Sequence, residues 1–206
     1  MKPHIALTAA LFCMPLLSVA ATTSWKVDSH ATTAVLSLSH SEMLDYYFLF
    51  PDISGAAELD LYNFTDSSIR FEIHPAKILT SFAEVGDKLI GPDLLHASAY
   101  PDIAFHSEQI QHSGNGFKMQ GLLSMHGVSK PVTFEVEPLR RVAESRGTHF
   151  RGLTAHTTIN RRDFGMTYRD SDRPASAAQQ YGDEWRLTVV LELTDRSDQI
   201  ESLNKR

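Results

Sequence analysis

Between Phe117 and Leu139 apolar and polar residues take turns. Phe117, Met119, Gly121, Leu123 and Met125 fall on one side of an extended chain, and Lys118, Gln120, Ser124 and His126 on the other, with Leu122 the exception. After Gly127-Val128-Ser129-Lys130-Pro131 the alternation resumes, with Val132, Phe134 and Val136 set against Thr133, Glu135 and Glu137. A period of two interrupted by glycine and proline predicts an antiparallel hairpin turning at 127–131, with Pro131 in the turn or first in its strand. One side of that hairpin is continuously apolar. A lone hairpin cannot bury such a face, so other strands must cover it.

The same period recurs along the chain. It predicts strands at Trp25 to His30, Thr32 to His40, Ile53 to Leu61, Ser68 to His74, from Ile103, and at Phe150 to Asn160 and Glu184 to Thr194, while the aromatic window Met43 to Phe50, followed by Pro51-Asp52, reads as a strand or a strand-to-strand corner. Only Ala76 to Ala99 changes period: Ile78, Phe82, Val85, Leu89 and Leu94-Leu95 recur at three- and four-residue steps. That stretch reads as helical, split into two short helices by Gly91-Pro92. Arg169 to Gly182 is polar and small, and reads as a loop or lid.

Eight to ten strands with one helical insertion predict an all-β protein, a single antiparallel β-barrel of about eight strands, because closure removes unpaired edges. Closure would aim Leu36, Leu38, Leu59, Phe71, Ile73, Phe105, Met119, Leu123, Phe134 and Val136 at one shared interior. A small barrel is either filled by such side chains or holds one ligand among them. Periodicity alone leaves both open. Tyr46, Tyr47 and Phe48 are the candidate exposed patch if the barrel is filled and serves as an interaction protein.

The start of the chain changes the picture. Met1-Lys2, an apolar run from Ile5 to Leu17 and small residues at 18–21 have the form of an export signal cleaved after Ala20 or Ala21. The apolar run is shorter than the roughly 20 residues of a membrane span. This leaves a barrel domain over 22–195 and a polar tail over 196–206, destined for the periplasm with no stable membrane insertion once the signal is gone. The one cysteine, Cys13, lies inside the signal, so no disulfide or thiol chemistry is expected of the mature chain. Losing Lys2 moves the formal charge from −6 to −7, and no basic run suggests nucleic acid as a partner.

Four blocks carry a resemblance. They are Trp25-Lys26-Val27-Asp28-Ser29-His30, Tyr100-Pro101-Asp102-Ile103-Ala104-Phe105-His106-Ser107, the run from Gly121 to Val132, and Ile159-Asn160-Arg161-Arg162-Asp163-Phe164-Gly165-Met166. In this order they resemble the YceI family. The resemblance implies a lipocalin-like barrel in the bacterial periplasm that encloses a polyisoprenoid or an isoprenoid quinone, with no catalytic residues and no cofactor. It tilts the interior toward a tunnel lined by the ten residues above. Where the family has an Arg-Asp pair and a His-Leu pair in the insertion, this chain has Val85-Gly86 and Lys88-Leu89, and Ala31 stands for a serine.

Headgroup chemistry at the barrel mouth has its candidates in Asn160, Arg161 and Asp163, since a guanidinium suits phosphate or carboxylate. The alternative for that stretch is a turn, with Asp163 capping backbone amides and an arginine paired to it. Ten histidines, His30, His40, His96, His106, His126 and His156 among them, lack the short spacing of a zinc motif, and no metal is expected. Asp28, Ser29 and His30 cannot form a hydrolytic triad, because successive strand residues point to opposite faces. The expected function is binding and carriage rather than catalysis. Capture of other hydrophobic small molecules is the alternative use of the same tunnel, and a second copy of the chain is a candidate partner.

Overall fold

The computed structural model describes residues 22–40, 44–168 and 181–195. The expected signal, the tail and residues 169–180 of the expected loop lie outside the described residues. The strands are β1 (Thr22–Val27), β2 (Thr33–His40), β3 (Leu44–Phe50), β4 (Ile53–Asp60), β5 (Ser68–Ile73), β6 (Ile103–Ser113), β7 (Gly116–Met125), β8 (Val128–Val136), β9 (Ala143–Ser145), β10 (Thr148–Asn160) and β11 (Glu184–Thr194), with one helix, α1 (Ala83–Ile90).

These strands make eight staves. β1 and β2 both pair with β11, at Val27–Leu193 and at Leu38–Trp185 to Thr33–Val190, so they are two halves of one stave broken at Asp28. The break is a turn in which the Asp28 carboxylate accepts from the His30 amide. β3 and β4 follow them as a second stave with its corner at Pro51-Asp52. β5, β6, β7, β8, β10 and β11 complete the circuit, every pairing antiparallel, and β10–β11 closes it.

Following the pairs around the barrel measures its shear. Phe150 lies opposite Thr194, then Lys26, Ala56, Arg70, His106, Leu122 and Pro131 in turn. In the register that sets Val136 opposite Ala155, Pro131 returns to β10 ten residues further on, at Asn160. Eight strands with a shear of ten tilt by roughly 40° and set the backbone at a radius of roughly 8 Å. Such an interior is only a few side chains wide.

The hairpin turn differs from the expected one. β7 and β8 are joined by His126 and Gly127 alone, with φ of 53° and 75°, the left-handed pair that a two-residue turn requires. Pro131 therefore sits inside β8. It is tolerated there because β8 meets β10 only near Val136–Ala155 and Glu135–His156, so the edge beside Pro131 is open.

The insertion also differs: only the first of the two expected helices forms. Beyond Gly91 the amides of Leu95, His96 and Ala97 return to the carbonyls of Leu89, Gly91 and Ile90, folding the chain into compact turns. Leu89, Leu94 and Leu95 are buried and close the end of the barrel that also holds Phe164 and Met166. We call this the lower end; the upper end carries the β6–β7 turn and the short strand β9, which the alternation did not predict.

Candidate ligand-binding interior

All ten residues expected to face inward are buried. Strand alternation puts them there: the same staves expose Lys26, Arg70, Glu72, Lys118, Glu135 and Arg186 on the outer face. Apolar inside and charged outside is the reverse of a lipid-embedded barrel. No helix among the described residues is long and apolar enough to cross a membrane.

The interior has two unlike walls. On β5, β6 and β8 three rings meet: Phe71 stacks on Phe105 at 5.3 Å, and Phe134 meets Phe105 edge-on at 4.8 Å and Phe71 at 5.9 Å. Facing them across the barrel, one ladder row on β10, β11 and β2 carries Ala155, Val189 and Ala34, all buried. Bulk on one wall faces little bulk on the other. At the upper end Phe64 lies edge-on to Phe117 at 4.9 Å.

The structure places the three expected headgroup residues in a turn at the lower end. The Asn160 side chain accepts from the Arg162 amide, so the cap comes from Asn160 rather than Asp163. Arg161 is buried, and its guanidinium is committed to Asp183 at 2.8 Å and to the Met166 carbonyl at 3.1 Å. Burial pushes its pKa down, and Asp183 opposes that shift. Arg162 pairs with the same carboxylate. The arginine partner is thus Asp183, not Asp163, and Asp163 is exposed on a groove of about 550 Å³ where β8 and β10 part.

Two charged side chains on inward registers were missed. Lys130 shares the face of Leu123, its pair across β7–β8, and is exposed at the open seam. Arg151 shares the face of Leu153, Ala155, Thr157 and Ile159 on β10, and its Nε is buried without a hydrogen-bond partner. The signal was present in the Phe150 to Asn160 alternation, where Arg151 occupies an apolar position.

The remaining polar groups are dispersed. His74 lies 2.7 Å from Asp102 and 3.4 Å from Ser54 Oγ, beside an outer-face groove of about 550 Å³ lined by Ala56, Ala104 and Leu122. The order is that of a proton relay, but Ser54 stands opposite Glu72 on the ladder, whose charge opposes an oxyanion there. His126 bonds the Phe164 carbonyl, and His149 bonds Asp195. No three His, Cys, Asp or Glu side chains converge as a metal site among the described residues. The aromatic patch expected at 46–48 is divided, since Tyr47 is exposed and Phe48 is core.

A family model described as a YceI-like domain matches residues 25–193. The chain is 30% identical over 146 residues to a UPF0312 protein of Pseudomonas putida, covering 69% of this chain and 76% of that one. It is 26% identical over 145 residues to a UPF0312 protein of Yersinia pestis, with the same two coverages. Among solved structures it resembles Burkholderia cenocepacia BcnA, with a TM-score of 0.66 and 20% identity, over 81% of this chain and 98% of that one. It also resembles a polyisoprenoid binding domain from Saccharophagus degradans implicated in plant cell wall breakdown, with a TM-score of 0.55 and 12% identity, over 82% and 97% of the two chains.

Proposed function

The chain belongs to the YceI-like family, and on that premise we propose that it is a periplasmic carrier that encloses a long apolar ligand, a polyisoprenoid or isoprenoid quinone, in its barrel. The observation that carries this reading is the interior itself: a predominantly apolar lining in which the Phe71, Phe105 and Phe134 rings face the small row of Ala34, Val189 and Ala155. A slender chain takes its place along that row as the rings turn aside. The barrel's likeness to a polyisoprenoid binding domain supports the ligand class. The export pattern over residues 1–21 supports the periplasm.

Each methylene removed from water contributes about 0.8 kcal/mol, so apolar contact supplies the affinity and polar groups at a mouth select the headgroup. Nothing in this function requires a bond to be made or broken. The test is native mass spectrometry of protein exported and purified without detergent, followed by solvent extraction. A stoichiometric adduct that extracts as an isoprenoid or quinone is the expected result, and the same spectrum shows whether two copies pair. An extract of some other apolar molecule would shift the reading to sequestration of hydrophobic compounds. An apo mass unchanged by added isoprenoids of several lengths would mean that the barrel is filled and serves as an interaction protein.

A further inference from the structure

Arg151 sits at the upper end of β10, on the inward face, with Leu193 opposite it on β11. Its Nε is buried and unpaired, and no carboxylate among the described residues forms an ion pair with it. Burial alone pushes its pKa down, with no neighbouring charge opposing the shift. Arg161 makes the contrast, since there the same burial is offset by Asp183. A guanidinium nitrogen buried with no anion beside it is an uncompensated cost. The other inward cation, Lys130, is exposed and keeps its hydration.

Arg151 is the cation on the inward register at the upper end, and partly buried apolar side chains occur at both ends, Phe117 at the upper and Tyr46, Ile78 and Val85 at the lower.

We propose that Arg151 receives an oxyanion headgroup, a phosphate or carboxylate, on a ligand whose apolar chain lies in the barrel below it. This rests on the carrier reading and names the headgroup class that reading leaves open. The guanidinium offers a planar fork of donors to such a group, and the ligand supplies the charge that the fold does not.

The test compares farnesyl phosphate with farnesol, and inorganic phosphate alone, on the mature protein by titration calorimetry. Wild type is expected to bind the phosphate roughly ten- to a hundredfold more tightly than the alcohol, the value of a charged hydrogen-bonded contact. In Arg151→Met that ratio should fall to about one, and in Arg151→Lys only part of it should be lost. Circular dichroism melts establish that each variant is folded, and Arg151→Gln replaces the methionine variant if it is not. Equal binding of phosphate and alcohol by wild type overturns the headgroup assignment and leaves the carrier reading standing. An unchanged ratio in folded Arg151→Met places the headgroup elsewhere and also overturns it. Inorganic phosphate that binds as tightly as farnesyl phosphate would mark a free-anion site and overturn it too. Binding of neither lipid removes the carrier reading together with the proposal.

Discussion

The Phe105 ring lies over Gly121 on the adjoining strand: a Cβ built on Gly121 would stand 2.8 Å from the tip of that ring and collide with the backbone oxygen of His106. The position has no room for a side chain because β6 and β7 cross closely there, and the ring fills the face that the glycine leaves bare. Gly121→Ala should therefore cost about 2 kcal/mol or more, as overpacking does, lowering the melting temperature by roughly 4–8 °C. A thermal melt of the purified variant decides it, and an unchanged melt would mean that β6 and β7 can part at no cost.

Arg161 and Asp183 make the second relationship open to test. Removing the carboxylate leaves a buried guanidinium without its counter-charge, whereas removing both partners leaves an apolar contact. Asp183→Ala should destabilise by about 2–4 kcal/mol, below the full cost of a sealed pair because Asp183 is one-third exposed. Adding Arg161→Met should recover much of that loss. Denaturant titrations of the two single variants and the double variant measure the coupling, and simple additivity would deny it.

What the sequence told and what it withheld divide along a physical line. Phe134 and Met119 could be set on one face because their neighbours alternate with them, and burial of a continuous apolar face admits one solution. Pro131 was misplaced because its tolerance depends on the open edge toward β10, a fact about another strand. Asp163 was favoured over Asp183 for the same reason, since only tertiary structure brings residue 183 to the turn at 160–165. Nor could alternation say that β1 and β2 share β11 as halves of one stave. The ten inward residues were legible as a face. The charge of Arg151 at an apolar position of β10 was legible too, but its lack of a partner was not.

Glu192 should make stability pH-dependent in a distinctive direction. Burial raises its pKa, and Asp28 nearby adds to the shift; Glu137 and Arg140 line the same shallow groove. A carboxyl whose pKa is higher folded than unfolded binds its proton more tightly in the native state. It therefore favours folding below its unfolded pKa and opposes folding once pH has risen through the folded value. Glu192→Gln should raise the melting temperature at neutral pH and lose that advantage as pH falls through the carboxylate range. Melts across that range check the sign, and a gain independent of pH would refute the assignment.

Chain length offers the last prediction. If the interior is a slot along the Ala34, Val189 and Ala155 row, affinity must come from apolar area, with up to about 4 kcal/mol per five-carbon unit before the cost of ordering the chain. A barrel whose staves of about ten residues tilt by roughly 40° is on the order of 25 Å tall, which sets where the gain must end. Dissociation constants for geraniol, farnesol and geranylgeraniol should fall steeply along the series, and longer prenols should gain little more because the excess protrudes into water. Phe134→Trp adds bulk to the aromatic wall and should shorten the plateau rather than abolish binding of the smallest member. Affinity indifferent to chain length, with melts showing both proteins folded, would mean that the prenols bind on the outer surface and that the rings of Phe71, Phe105 and Phe134 stay closed.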